Sequence, residues 1–120
     1  MACILLLGLE SDLAEQLTDV LTAQQHHVRI AETVDEVVRF GLAEIVFCSG
    51  DAPGYRQVVR ELSTGASHMA VVVVSRFPEN RRWLEALDLG AADYCGAPFE
   101  PALMRWLVDS VMRRPRAAAA

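Results

Sequence analysis

The sequence predicts an α/β fold, a doubly wound five-stranded parallel sheet with helices on both faces. Three observations predict it. Short apolar runs alternate with longer helical patterns from end to end. Most of those runs are apolar at every position, as strands covered on both faces are. Finally, 120 residues, 52% hydrophobic and 22% charged, form one domain able to bury roughly two thirds of its unfolded surface, which excludes a disordered tail.

Ile4-Leu5-Leu6-Leu7 is the first strand, ended by Gly8. Leu13, Leu17, Val20 and Leu21 recur at helical spacing and predict a helix over Ser11–Gln24. His27-Val28-Arg29-Ile30-Ala31 alternates in polarity, which suits an outer strand with a partly wet face. Thr33 with Glu36 forms a capping box for a short helix carrying Val37, Val38 and Phe40, and Gly41 ends it. Ile45-Val46-Phe47-Cys48 is the third strand, followed by the turn-rich Ser49-Gly50-Asp51-Ala52-Pro53-Gly54. Tyr55, Val58, Val59 and Leu62 make a helical stripe closed by Thr64-Gly65-Ala66-Ser67. Val71-Val72-Val73-Val74, β-branched throughout and bounded by Ser75, is the strongest strand signal. Pro78 and Glu79 open a helix through Trp83, Leu84 and Leu87 to Gly90. Asp93-Tyr94-Cys95 is a short last strand before Ala97-Pro98-Phe99. Pro101 starts the final helix, with Leu103, Leu107, Val108 and Val111 inward and Arg113 and Arg114 complementing its C-terminal dipole. In a doubly wound sheet the ligand crevice lies beyond the carboxyl ends of the strands. Gly8, Cys48, Ser75 and Ala97 are therefore the first positions to ask about function.

Charge and cysteine usage narrow the field. Sixteen acids against eleven basic residues give a net charge of −5, which argues against a surface built for nucleic-acid phosphates. All eleven basic residues are Arg, so any mechanism that needs a lysine ammonium is excluded. Cys3, Cys48 and Cys95 lack CxxC or Cys/His spacing and predict neither a disulfide framework nor a zinc site. The opening apolar stretch has no positive n-region, and no apolar run nears the ~18 residues of a membrane span. A cytoplasmic location without membrane contact is expected.

Gly90-Ala91-Ala92-Asp93-Tyr94, followed by Ala97-Pro98-Phe99, resembles the receiver domains of two-component response regulators. The valine run ending in Ser75, and Ile4 to Leu7 followed by Glu10, Asp12 and Leu13, extend the resemblance over residues 3–113. It implies strand order 2-1-3-4-5, a receiver-like domain over residues 1–114 and a role in bacterial phosphorelay signalling, and residues 115–120 read as a linker or disordered tail. Receivers of that family accept a phosphoryl group on an Asp ending the third strand. An acidic pair after the first strand holds Mg²⁺ with it, a Ser/Thr ends the fourth, and a Lys precedes the proline after the fifth.

Carried onto this chain, the acidic pair falls on Gly8 and Leu9, the phosphoacceptor on Cys48 and the Lys on Ala97. Ser75 retains the hydroxyl, and Tyr94 the family's mobile aromatic. Gly and Leu offer no metal ligand, and a thiol is a poor partner for Mg²⁺. The resemblance thus implies a degenerate member, a pseudo-receiver with no enzymatic activity, no metal and no cofactor. It also implies a cis peptide before Pro98. Glu10 and Asp51 are the nearby acids, Asp51 being a substitute phosphoacceptor only on a shortened loop. The crevice is expected to be more apolar than an intact one and indifferent to Mg²⁺. Nothing is expected to recruit the Ser75 hydroxyl beyond a cap or turn hydrogen bond, and Tyr94 is expected to hold one rotamer.

Function then rests on protein contact. Trp83 and Trp106 fall on the fourth and last helices, which with the fifth strand form the face receivers commonly use to dimerise or dock. Arg81, Arg82, Arg105 and Asp109 rim that face, although a Trp at helical spacing also suits a core. The expected partner is a protein or a second copy, with nucleic acid reached only through an output domain outside this chain. Two rivals stand beside this reading. One is a redox sensor at Cys48, which needs nearby positive charge; the alternative for that thiol is a buried small hydrophobe. The other is a small-ligand binder in the emptied crevice, opposed by the acidic Gly8-Leu9-Glu10-Ser11-Asp12 where a phosphate would lie. His26, His27 and His68 lack paired-ligand spacing, and Arg113-Arg114-Pro115-Arg116 reads as a helix end before the linker.

Overall fold

The computed structural model describes residues 2–40, 43–64 and 69–113. Gly41, His68, Arg114 and the expected linker at 115–120 lie outside the described residues. The elements alternate: β1 (Cys3–Leu7), α1 (Ser11–Ala23), β2 (His27–Ala31), α2 (Val34–Phe40), β3 (Ile45–Ser49), α3 (Tyr55–Thr64), β4 (Ala70–Ser75), α4 (Asn80–Asp88), β5 (Asp93–Gly96) and α5 (Pro101–Arg113). All strand pairs are parallel, in the order β2-β1-β3-β4-β5.

Strand alternation divides the apolar runs into two cores. Ile4, Leu6, Ile45, Phe47, Val72 and Val74 face α1 and α5, where Leu13, Leu17, Leu21, Leu107, Val108 and Val111 meet them. Leu5, Leu7, Val46, Cys48, Val71 and Val73 face the other way, onto Val37 of α2, Val59 and Leu62 of α3 and Ala86 of α4. Continuous apolar runs are what a sheet buried on both faces requires, at about 1.5–3 kcal/mol for each large side chain removed from water. The edge strand β2 buries only Ala31 fully, consistent with its alternating sequence.

The capping box at α2 forms, with a shift of one residue. The Glu36 backbone N–H donates to Thr33 Oγ1 at 3.2 Å, and the Glu36 carboxylate accepts from the backbone N–H of Glu32 rather than that of Thr33. One expected inward residue is corrected. Leu103 is 61% exposed because Met104, Leu107, Val108 and Val111 define the buried stripe of α5, and Leu103 lies roughly 90° from its centre. Of the valines carried by α2, Val37 is buried and Val38 is exposed. On α4 the buried residue is Ala86, so Trp83, Leu84 and Leu87 stand at the surface.

His26, between α1 and β2, is part of how the sheet begins. Its Nδ1 accepts the backbone N–H of Ala2 at 3.0 Å, and burial pushes its pKa down against the opposing pull of Asp109 and Glu44. A base whose folded pKa is depressed lets the unfolded chain bind more protons, so stability rises with pH across the transition. Melting temperature should therefore fall as the pH drops below about 6.5. Differential scanning calorimetry from pH 7.5 to 5.5 should show a flatter slope for His26→Gln than for the wild type; equal slopes would remove His26 from the response.

Candidate functional site

The carboxyl ends of β1, β3 and β4 open onto a cleft of 340 Å³ lined by Glu10, Asp51, Arg76, Phe77, Glu79 and Arg82. Gly8, at φ +72°, turns the chain out of β1 and delivers Glu10 and the first turn of α1 to one wall. At the end of β3, Ser49 Oγ accepts the backbone N–H groups of Asp51 at 3.1 Å and Ala52 at 3.2 Å. Gly50 N–H meanwhile donates to Val74 O at 2.7 Å. These bonds curl the loop after β3 toward β4, and Asp51 arrives over Ser75.

Both oxygens of Asp51 are then used. Oδ1 accepts the Ser75 hydroxyl at 2.7 Å and Arg82 Nη1 at 2.8 Å, while Oδ2 accepts the Arg76 backbone N–H at 2.7 Å. Ser75 is fully buried, so its hydroxyl needs a partner inside the protein. The Arg76 side chain reaches across to α1. It donates from Nε to Glu10 Oε1 at 3.2 Å and from Nη2 to Asp12 Oδ1 at 2.7 Å. The guanidinium holds the Asp12 carboxyl below the usual carboxylate range, and the two acids in turn push the Arg76 pKa up. These are partly exposed pairs, so their worth lies in positioning more than in stability.

This geometry corrects the expectation of a more apolar crevice. Four carboxylates, those of Glu10, Asp12, Asp51 and Glu79, and two guanidiniums converge there, and the first three acids are paired with Arg76 and Arg82. Asp12 joins Glu10 and Asp51 as a nearby acid. The Ser75 hydroxyl, expected to make only a cap or turn hydrogen bond, is recruited by Asp51. Arg76 and Arg82 were not singled out for the crevice by sequence, since neither occupies a strand-end position matched to the resemblance. The available signal was the adjacency of Arg76 to Ser75, and a chain that must balance clustered acids without any Lys.

The remaining candidates are placed plainly. Cys48 lies in the core beneath α3, one residue short of the cleft, and Ser49 ends the strand. Burial pushes the Cys48 thiol up to about 12, so it is protonated at neutral pH, opposite to what a reactive sensor thiol needs. Cys95 is raised to about 12 by burial and then by the Asp93 charge. Leu9 packs against the α1–α5 core, and Ala97 does the same from the far side. The peptide between Ala97 and Pro98 is cis. Tyr94 packs against the core on the α3 side, and its hydroxyl accepts the Glu79 N–H at a long 3.4 Å.

Mg²⁺ does not fit these residues. Glu10 and Asp12 are turned onto Arg76, Gly8 and Leu9 carry no side-chain oxygen, and Asp51 is bound by three donors. Among the described residues no group of three or more His, Cys, Asp or Glu is arranged to hold a metal ion. Among them, too, no helix is long and apolar enough to cross a membrane.

A second groove, of 260 Å³, runs between β5 and α5 and is bordered by Tyr94, Cys95, Pro98, Leu103, Trp106 and Leu107. Trp83 is 43% exposed and Trp106 63% exposed, so both belong to the surface and not to a core. Arg105 is exposed beside Trp106.

No protein-family model matches the chain, and no curated protein matches it in sequence. Solved structures do. A response regulator receiver domain protein from Clostridium thermocellum superposes with a TM-score of 0.78 at 20% identity, covering 95% of this chain and 96% of that one. HP1043, an orphan response regulator of H. pylori, gives 0.75 at 20% identity over 93% of this chain and 97% of that one. NtrX from Brucella abortus in complex with ADP gives 0.81 at 20% identity, and there the match spans 92% of this chain but only 26% of the larger protein. With its strand order and its helices on both faces, the chain has the fold of response regulator receiver domains.

Proposed function

We propose that this chain is a receiver-type signalling domain that works through protein contact, without phosphotransfer, catalysis or a metal. The observation that carries this reading is the Arg76 guanidinium, which bridges Glu10 and Asp12 in the cleft. A cation supplied by the chain itself already neutralises the acids that a divalent ion would need. Phosphoryl transfer depends on neutralising the equatorial oxygens in the transition state; the sequence has no lysine, and among the described residues no cluster of acids is arranged to hold a metal ion. The BeF3-activated DrrB receiver domain shares this fold at 18% identity, a likeness that speaks to architecture alone.

The working surface in this reading is the α4–β5–α5 face, and its occupant is a second copy of the chain. Trp83 and Trp106 supply aromatic anchors, and Leu84, Leu87 and Leu103 are also exposed on those helices. Arg81 and Asp88 on α4, Glu100 just before α5 and Arg105 on it are exposed, so these elements carry both signs. Mixed charge on one patch suits a twofold interface, where a basic residue of each copy meets an acidic residue of the other.

Incubation with acetyl phosphate and millimolar Mg²⁺, read by intact-protein mass spectrometry, is expected to leave no phosphoryl adduct. The melting temperature is expected to stay within about 1 °C on adding Mg²⁺ or beryllium fluoride. A stoichiometric adduct, or a clear rise in melting temperature, would overturn the reading.

A further inference from the structure

We propose that His26 is a proton-operated latch on the start of β1, which holds Ala2 while its ring is neutral and releases it when the ring is protonated. The latch lies where the strands begin, at the far end of the sheet from the cleft, and depends on none of the cleft residues. His26 Nδ1 accepts the Ala2 backbone N–H at 3.0 Å, and Ala2 O accepts the His27 N–H at 2.9 Å. Residues 26 and 27 thus grip both polar groups of the Ala2 backbone. Ala2 is 2% exposed and packs in the core beneath α1 and α5. Cys3 is held from the other flank, its N–H donating to Glu44 Oε1 at 3.1 Å and its O accepting the Glu44 N–H at 2.8 Å. From Ile4 onward β1 pairs with both β2 and β3, so release at Ala2 leaves the sheet intact.

The ring makes this grip conditional. Because Nδ1 accepts, the neutral imidazole carries its proton on Nε2. Protonation adds a hydrogen at Nδ1, which then faces the Ala2 N–H donor to donor and leaves the ring no acceptor. A ring that swung away alone would strand the Ala2 N–H, so the end of the strand leaves with the bond. Burial, the largest influence, and the positive amino terminus disfavour the imidazolium, whereas Asp109 on α5 and Glu44 ahead of β3 favour it; the balance holds the His26 pKa below the ordinary imidazole value. The docked arrangement therefore excludes the proton, and acid favours the released one. Between pH 7.5 and 5.5 the released population should rise by up to about tenfold, the limit for one imidazole that binds its proton only after release.

Native-state hydrogen exchange at the His27 amide, whose acceptor is Ala2 O, tests the latch. At pH 7.5 that amide should be about 100-fold or more less protected than the Val73 amide in β4, and its exchange should ignore low concentrations of urea, as local opening does. After correction for the intrinsic exchange rate, its protection should fall by about threefold or more on going to pH 5.5. His26→Asn, whose Oδ1 replaces Nδ1 with an acceptor that does not titrate, should give a flat profile while keeping the neighbouring His27. His26→Leu, with no acceptor, should show the lower protection at both pH values. A flat wild-type profile, a fall that persists in His26→Asn, full protection in His26→Leu, or exchange that follows urea as Val73 does would overturn the latch.

Discussion

Gly96→Ala is expected to lower the melting temperature by roughly 10–15 °C. Gly96 ends β5 beside the turn that leads from β4 into α4, and a Cβ there would lie 2.5 Å from Pro78 Cγ, 2.7 Å from Pro78 Cδ and 2.8 Å from Ser75 O. The neighbours have little freedom to retreat. The proline ring is fixed to its own backbone, and Ser75 O is held as the acceptor of the Ala97 N–H at 3.3 Å. Relief must come from moving the β4–α4 turn, which also carries the Arg76 N–H onto Asp51, so crowding at Gly96 disturbs the cleft network as well. Gly8→Ala is the control. A Cβ there meets nothing within 4 Å, and only the positive φ of 72° opposes it, a strain of about 1–2 kcal/mol. Calorimetry of both variants decides the matter: a Gly96→Ala melt within about 2 °C of the wild type would show that the turn yields freely.

Trp106→Glu is expected to weaken self-association by about 30-fold or more while leaving the fold intact. Trp106 is 63% exposed, so replacing it opens no core cavity, and the melting temperature of the monomer should change by less than about 2 °C. A buried interfacial aromatic is commonly worth 2 kcal/mol or more, and a carboxylate introduced at the centre of a closed patch adds desolvation and repulsion across the twofold. Sedimentation equilibrium or light scattering over a concentration series would measure the dimer constant. Arg29→Glu, on the opposite edge strand β2, should leave that constant unchanged. A monomer at every concentration, or equal weakening by both variants, would remove the α4–β5–α5 face from the proposal.

Much of the fold was legible because its signals are local. The valine run of β4 is β-branched and apolar at every position, and that combination fits a strand covered on both sides. The Thr33–Glu36 box and Pro101 fixed helix starts for the same reason: capping depends on residues within one turn. The misplaced side chain, Leu103, sits at the margin of its helical stripe. There the partner element decides which flank is buried, and periodicity alone cannot choose.

The cleft was less legible because charge pairing is not local. Glu10 and Arg76 are 66 residues apart in sequence, and Ser75 and Asp51 are 24 apart. Strand-end positions were readable, so Gly8 and Ser75 were found at the crevice. Which loop folds over which strand was not. The hydrogen bonds of Ser49 that curl Asp51 toward β4 appear only once β3 ends at Ser49 and lies beside β4.

Composition and periodicity by themselves determined the five β–α repeats, the doubly burying strands and the absence of lysine, because each depends on residue type and near-neighbour spacing. Tertiary structure alone decided that the crevice is an ion-paired network instead of an apolar hollow, and that both tryptophans face outward. Those outcomes depend on distances between segments remote in the chain. Electrostatics and burial act through space, so they are settled only when packing brings the segments together.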